Sequence, residues 1–170
     1  MAVHTVLLGA SHLAGKPSSY RITAAPPRAF ELLRDVALSA LIREVAFYYA
    51  HRTLHRPQFY ARVHKTHHRF TAPFALAAQY ATVPEHLFAN VLPYVLPGLI
   101  FRTHILSYWV FFASQLLDTS MVHSGYDFFG RFAEMHDRHH ELSNVNYGVF
   151  GLCDWLHGTN KVRKSTRAKE

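Results

Sequence analysis

Leu87–Leu117, LFANVLPYVLPGLIFRTHILSYWVFFASQLL, holds Arg102 as its one Lys, Arg, Asp or Glu. Its first half, Leu87–Phe101, is punctuated by Asn90, Pro93, Pro97 and Gly98. Its second, Thr103–Leu117, is strongly aromatic through Tyr108, Trp109, Phe111 and Phe112. Each half is about 15 residues, roughly 22 Å of helix, short of the roughly 20 residues that cross a bilayer. Extended into their flanks, the halves make a helical hairpin with Arg102 and His104 near the turn. Two buried core helices of a soluble protein are the alternative on length. A hairpin that enters a membrane and returns leaves Ala29–His86 and Asp118–Glu170 on one face. Those segments carry the positive charge: Arg52, Arg56, Arg62, Lys65 and Arg69 before the hairpin, Lys161, Arg163, Lys164, Arg167 and Lys169 after it. Basic flanks favour the cytoplasmic side. Nucleic acid, the other usual partner of such charge, fits less well, because these cations alternate with histidines and border apolar segments.

Upstream, Ala29–His55 contains neither Gly nor Pro and reads as one long helix. Arg34, Asp35, Arg43 and Glu44 interrupt its apolar runs, so it is read as a membrane-embedded helix with one polar stripe, or as an interfacial one. Pro57 restarts the chain, and Gln58–Phe70 reads as a second helix ending before Thr71-Ala72-Pro73. Residues 1–28 read as a flexible lead-in, with a loop at Gly15–Pro27 and no basic region that would make Met1–Ala10 a signal peptide. This divides the chain into a lead-in at 1–28, a domain at 29–160 and a basic tail at 161–170.

The composition supports a folded chain. Of 170 residues, 49% are hydrophobic and 17% charged, with a net charge of +7, which is too apolar for a disordered polycation. The single cysteine, Cys153, excludes an intrachain disulfide and a cysteine-based zinc site.

Fourteen histidines are the unusual feature, and most fall in three groups: His51-Arg52-Thr53-Leu54-His55, His64-Lys65-Thr66-His67-His68 and His136-Asp137-Arg138-His139-His140. Residues three and four apart share a helix face, so each group is expected to project its rings together. Eight neutral imidazoles lining one cavity suit iron, zinc, copper or nickel. Surface or core histidines explain one such pair but not the repeat of one HxxHH pattern. His123, just after the hairpin, is a candidate ninth ligand, with a structural turn at Ser124-Gly125 as the alternative. Glu44 and Tyr48 lie on the His51/His55 face. Glu44 is a candidate hydrogen-bond partner for a ligand imidazole, or alternatively a plain ion-paired charge. His86, His104 and His157 are read as outside the set, and His4 and His12 as bystanders in the lead-in. No HExxH, GxSxG or Walker motif is present. A two-ion, all-histidine site beside membrane helices points to oxygen chemistry on a lipid C–H bond.

The ordered boxes HxxxH, HxxHH and HxxHH resemble the fatty acid hydroxylase/sterol desaturase superfamily. The resemblance runs from about Pro26 to Lys161. It includes Glu44-Val45-Ala46-Phe47-Tyr48-Tyr49-Ala50-His51-Arg52, Pro84-Glu85, His123-Ser124-Gly125-Tyr126, Asn146-Tyr147-Gly148 and Gly158-Thr159. C-4 sterol methyl oxidases and fatty acid hydroxylase domain-containing type 2 proteins are the most similar branch. The resemblance implies an all-α membrane helical bundle with a transmembrane hairpin and a cytosolic, histidine-lined diiron site. Its ligands would be His51, His55, His64, His67, His68, His123, His136, His139 and His140, with Glu44, Tyr48, Glu85 and Asn146 around them. It implies a monooxygenase of the endoplasmic reticulum membrane, with boxes and termini facing the cytosol. The enzyme would act on a sterol or other lipid and receive electrons from NAD(P)H through cytochrome b5 or its reductase. A desaturase outcome shares the same site. Three departures stand out: Thr82 replaces a histidine usual before Pro84-Glu85, Arg138 stands where relatives often carry an aromatic, and residues 1–28 are too few for the additional amino-terminal membrane helices of relatives. Thr82 and the absent amino-terminal helices motivate a second reading, a catalytically impaired family member acting as a membrane scaffold or regulatory subunit.

Overall fold

The computed structural model describes residues 2–71, 74–126, 128 and 131–161. Most of the basic tail, with Arg163, Lys164, Arg167 and Lys169, lies outside them. Among the described residues every regular element is helical. The α-helices in chain order are α1 (Ala2–Leu13), α2 (Ala29–Leu54), α3 (Pro57–Phe59), α4 (Val83–Glu85), α5 (Leu92–Phe101), α6 (Ile105–Val122), α7 (Phe132–Leu142) and α8 (Leu152–Leu156), with short π and 3₁₀ segments between them. Helix α1 falls within the segment read as a lead-in.

The helix expected at Ala29–His55 is α2, which packs against both α5 and α6. Its polar stripe points inward: Asp35, Ser39, Arg43, Glu44, Tyr48 and His51 are buried, while Leu33, Leu41, Val45 and Tyr49 are exposed. The same inversion holds throughout. Among the described residues, 18 polar or charged side chains are buried against 11 hydrophobic ones. Phe30, Phe88 and Leu117 are each more than 60% exposed. The exposed side chains leave large apolar faces uncovered on α2, α5 and α6.

Helices α5 and α6 flank a turn where the sequence places it, and both pack on α2. Arg102 adopts a left-handed conformation at the end of α5, and His104 caps α6 by accepting the Leu106 N–H on Nδ1 at 3.1 Å. Among the described residues no helix is long and apolar enough to cross a membrane. The α5 arm continues a helical run that begins at Val83 and widens into a π-helix over His86–Val91. Tyr94 contacts Phe111 and Phe112 across the arms, and the rest of the space between them is a cleft.

One expectation needs correction. Ala29–His86 does not emerge as a unit from one face, because α2 runs the depth of the hairpin. Its amino-terminal end is tied to the hairpin turn through Arg21, which pairs with Glu31. Arg21 also donates its backbone N–H to the Thr103 carbonyl and accepts from Ile105 N–H. Tyr20 packs beneath on Tyr108 and Phe111, a fit that requires Gly98, since a Cβ there would lie 2.4 Å from the Tyr20 ring. The far end of α2 carries His51.

The second helix, expected over Gln58–Phe70, is broken into α3, a π-helix over Tyr60–His64 and a 3₁₀ turn over His67–Arg69. The i→i+5 bond from Lys65 N–H to the Tyr60 carbonyl, 2.8 Å, widens the turn. Such insertions re-aim side chains at functional sites.

Candidate metal centre

Nine histidines converge at the end of the bundle remote from the Arg102 turn, and they form two groups. His51, His55, His64, His68 and His139 bring one nitrogen each within 4.8 Å of the others, and His67, His123, His136 and His140 do the same. The α-helical repeat explains the division in α7, and the π and 3₁₀ turns carrying His64, His67 and His68 place their rings in the same pattern. Pairs four apart, His51/His55 and His64/His68, face the first group, and His136/His140 faces the second. The residue next to each HxxHH pair projects about 100° away and joins the other group, so His67 crosses to the second and His139 to the first. The expectation that each box projects its rings together is thereby corrected: each HxxHH box serves both groups.

Backbone carbonyls orient the rings. His51 Nδ1 donates to Tyr147 O at 2.7 Å, His139 Nδ1 to Val145 O at 2.7 Å, and His123 Nδ1 to Thr119 O at 2.8 Å. A neutral imidazole has one N–H. In these three it is spent on a carbonyl, so each Nε2 lone pair points into its group. Nε2–Nε2 separations are 3.1 Å for His51–His64, His64–His68, His68–His139 and His55–His139. They are 2.9 Å for His123–His136 and 3.1 Å for His136–His140. Converging lone pairs in a buried space repel until a cation sits among them. Nitrogens about 2.0–2.1 Å from one ion at roughly right angles lie about 3 Å apart, whereas a tetrahedral ion would hold them nearer 3.4 Å. The donor sets therefore fit right-angled geometries, square-planar or with five or six ligands, better than a tetrahedral one.

Burial keeps the rings neutral and ready to coordinate. Desolvation lowers His67, His68 and His123 to about 4, His55 to about 3 and His140 to about 2, and neighbouring imidazoles deepen the shift in His55, His68, His123 and His140. Glu85 lies 2.8 Å from His64 Nδ1, and burial pushes its carboxyl up to about 8. A cation among the rings pulls the other way, toward a carboxylate that accepts the His64 N–H.

The other three supporting residues act at one remove. Glu44, fully buried, touches no imidazole. It accepts backbone N–H groups of Val149 and Phe150 on Oε2 and of Cys153 on Oε1, at 2.7–3.0 Å, which fixes the loop whose Tyr147 carbonyl orients His51. Asp154, which no sequence pattern flagged, grips the same loop through Tyr147 N–H and Gly148 N–H. Asn146, at φ +53°, ties the segment carrying Val145 to Met135 O and to Lys161 O. Tyr48 bonds Thr159 and Arg52. Thr82 stands outside both groups and donates to Val63 O, and Arg138 pairs with Glu141. His104 caps a helix, and His157 stacks on Tyr48.

A chamber of about 60 Å³ borders both groups, touching His51, His67, His123 and His136. Beyond it the cleft between the hairpin arms encloses about 230 Å³ among Val91, Tyr94, Val95, Tyr108, Phe112 and Leu116. Asn90 and Thr119 line both spaces, so they form the neck between them.

An all-helical chain with two histidine groups beside an apolar cleft belongs among helical proteins equipped to bind metal. The fatty acid hydroxylase family model matches residues 36–159, and the chain belongs to that family. It is 42% identical over 139 residues to fatty acid hydroxylase domain-containing protein 2 of Homo sapiens, covering 81% of this chain and 42% of that protein. It is 32% identical over 178 residues to methylsterol monooxygenase 1-1 of Arabidopsis thaliana, covering 95% and 59%. Very-long-chain aldehyde decarbonylase GL1-8 of Oryza sativa subsp. japonica is 33% identical over 164 residues, covering 88% and 60%. The chain thus spans two- to three-fifths of the length of these relatives. No solved structure matches it.

Proposed function

We propose that this chain is the metal-binding part of an iron- and O2-dependent membrane monooxygenase that hydroxylates or oxidises a C–H bond of a sterol or another lipid. The observation that carries this reading is the pair of buried histidine groups whose Nε2 lone pairs converge about 3 Å apart beside an apolar cleft. Five histidines would hold one ion and four the other. Bound there, two redox-active ions supply dioxygen activation, which amino-acid side chains alone cannot perform.

The chain's own residues do the rest. Carbonyls of Tyr147, Val145 and Thr119 fix three ring tautomers, and Glu85 orients His64. The cleft accepts the apolar body of a lipid, and the neck at Asn90 and Thr119 admits only part of it to the chamber.

The exposed apolar faces of α2, α5 and α6 support embedding in a membrane, that of the endoplasmic reticulum in this reading. The histidines would then lie at the cytosolic end and the Arg21–Glu31 and Arg102 end at the opposite side. Arg52, Arg56, Arg62, Lys65 and Arg69 are all exposed around the histidine end. That rim suits an acidic electron donor of the cytochrome b5 type, itself reduced by NAD(P)H. The scaffold alternative drew on Thr82, yet nine rings converge without a histidine at that position.

The test is oxygen incorporation. Detergent-purified chain loaded with ferrous iron, given a cytochrome b5-type donor and ¹⁸O2, is incubated with a panel of sterols and acyl lipids. Mass spectrometry is expected to find a lipid that gains ¹⁸O. A metal-loaded protein that leaves every lipid unaltered would overturn the reading.

A further inference from the structure

The neck contains a charge that the proposed chemistry does not use. Arg43 on α2 is 5% exposed, its guanidinium centre lies 5.0 Å from the Tyr94 ring of the cleft, and it lines the chamber. Nη1 donates to Gln115 Oε1 at 2.6 Å and Nη2 to Thr119 Oγ1 at 3.2 Å. Asp118 Oδ2 stands 3.7 Å from Nη1, beyond a direct hydrogen bond. Nε is buried with no hydrogen-bond partner. An ionisable residue inside an apolar bundle is costly and marks a functional site by default, and a buried orphan donor costs free energy until something accepts from it.

We propose that the Arg43–Asp118 pair recognises a hydroxyl group on the lipid and holds it at the neck while the adjoining carbon chain reaches the histidines. This rests on the reading that the cleft takes a lipid. An alcohol oxygen accepts from Arg43 Nε–H and donates its own hydrogen to Asp118, which also lines the chamber. A carboxylate would satisfy the donor but face the Asp118 charge, and a hydrocarbon would leave Nε orphaned. Arg43, Phe47 and His51 follow one another at four-residue steps along α2, so the cation lies two turns, about 12 Å, from His51 along the axis. The anchored hydroxyl therefore lies several bonds from the carbon presented to the histidines, and it sets which carbon that is.

The test reads binding without turnover. Metal-free protein in detergent is titrated with radiolabelled 1-decanol, competed by its isomer 1-methoxynonane and by decanoate. The ether matches the alcohol atom for atom but cannot donate. Decanol is expected to bind about tenfold tighter than the ether and tighter than decanoate, the advantage of one charge-assisted hydrogen bond pair. In Arg43→Met and Asp118→Asn, checked for helicity by circular dichroism, the preference is expected to shrink to twofold or less. Equal binding of alcohol and ether, tighter binding of decanoate, no displaceable binding, or a preference that survives both substitutions would overturn the proposal. The wild-type comparison decides alone if a variant does not fold. Oxygen incorporation without hydroxyl preference would sink only this proposal, and hydroxyl preference without oxidation would sink only the function.

Discussion

Glu44 shows how far a single residue can act from the groups it supports. Its carboxylate accepts three backbone N–H groups in a fully buried setting, and a carboxamide can satisfy fewer of them. Glu44→Gln is expected to lower stability by about 1–3 kcal/mol, read by denaturant unfolding in detergent, and an unchanged midpoint would contradict the role. Glu85→Gln tests the orientation of His64 differently: metal affinity is expected to fall roughly 10- to 100-fold in a competition titration against a chelator, with helicity unchanged. The sequence singled out both acids, but only Glu85 meets an imidazole. Spacing placed Glu44 on the right helix face; what it grips is a loop more than a hundred residues away, and no local pattern encodes that pairing. Asp154 escaped notice for the same reason.

At the scale of elements, the histidine boxes were legible because helical periodicity needs only neighbours in sequence. The reading of α2 and of the hairpin turn followed from the same local rules. The break of the second helix did not, because the π turn at Tyr60–His64 inserts one extra residue without a Gly or Pro to signal it. The loop between α7 and α8 depends on close approach. A Cβ on Gly148 would lie 2.7 Å from Glu44 Oε1 and 2.8 Å from Asp154 Oδ2, so Gly148→Ala is expected to destabilise the fold by about 1–3 kcal/mol. Thermal unfolding checks this, and wild-type stability would show that the carboxylates can move apart freely.

Across the described residues, buried polar side chains outnumber buried hydrophobic ones and α2, α5 and α6 carry exposed apolar faces, which the sequence showed only as a polar stripe on α2 and a hairpin whose arms are uncharged. Its buried imidazoles also set a pH dependence. His67, His68 and His123 titrate near 4 when folded but near 6.5 when unfolded. Between those values the unfolded chain binds more protons, so stability is complete above about 6.5 and falls as pH drops through 4. A melting temperature of the metal-free protein that holds constant from pH 7 to pH 4 would contradict this. Metal content is the most direct measurement of all. Detergent-purified protein loaded anaerobically with ferrous iron is expected to retain two ions per chain by elemental analysis. His139→Ala and His67→Ala should each lose at least one, and His12→Ala neither. Retention of no metal by the wild type, or full retention by both cluster variants, would contradict the account.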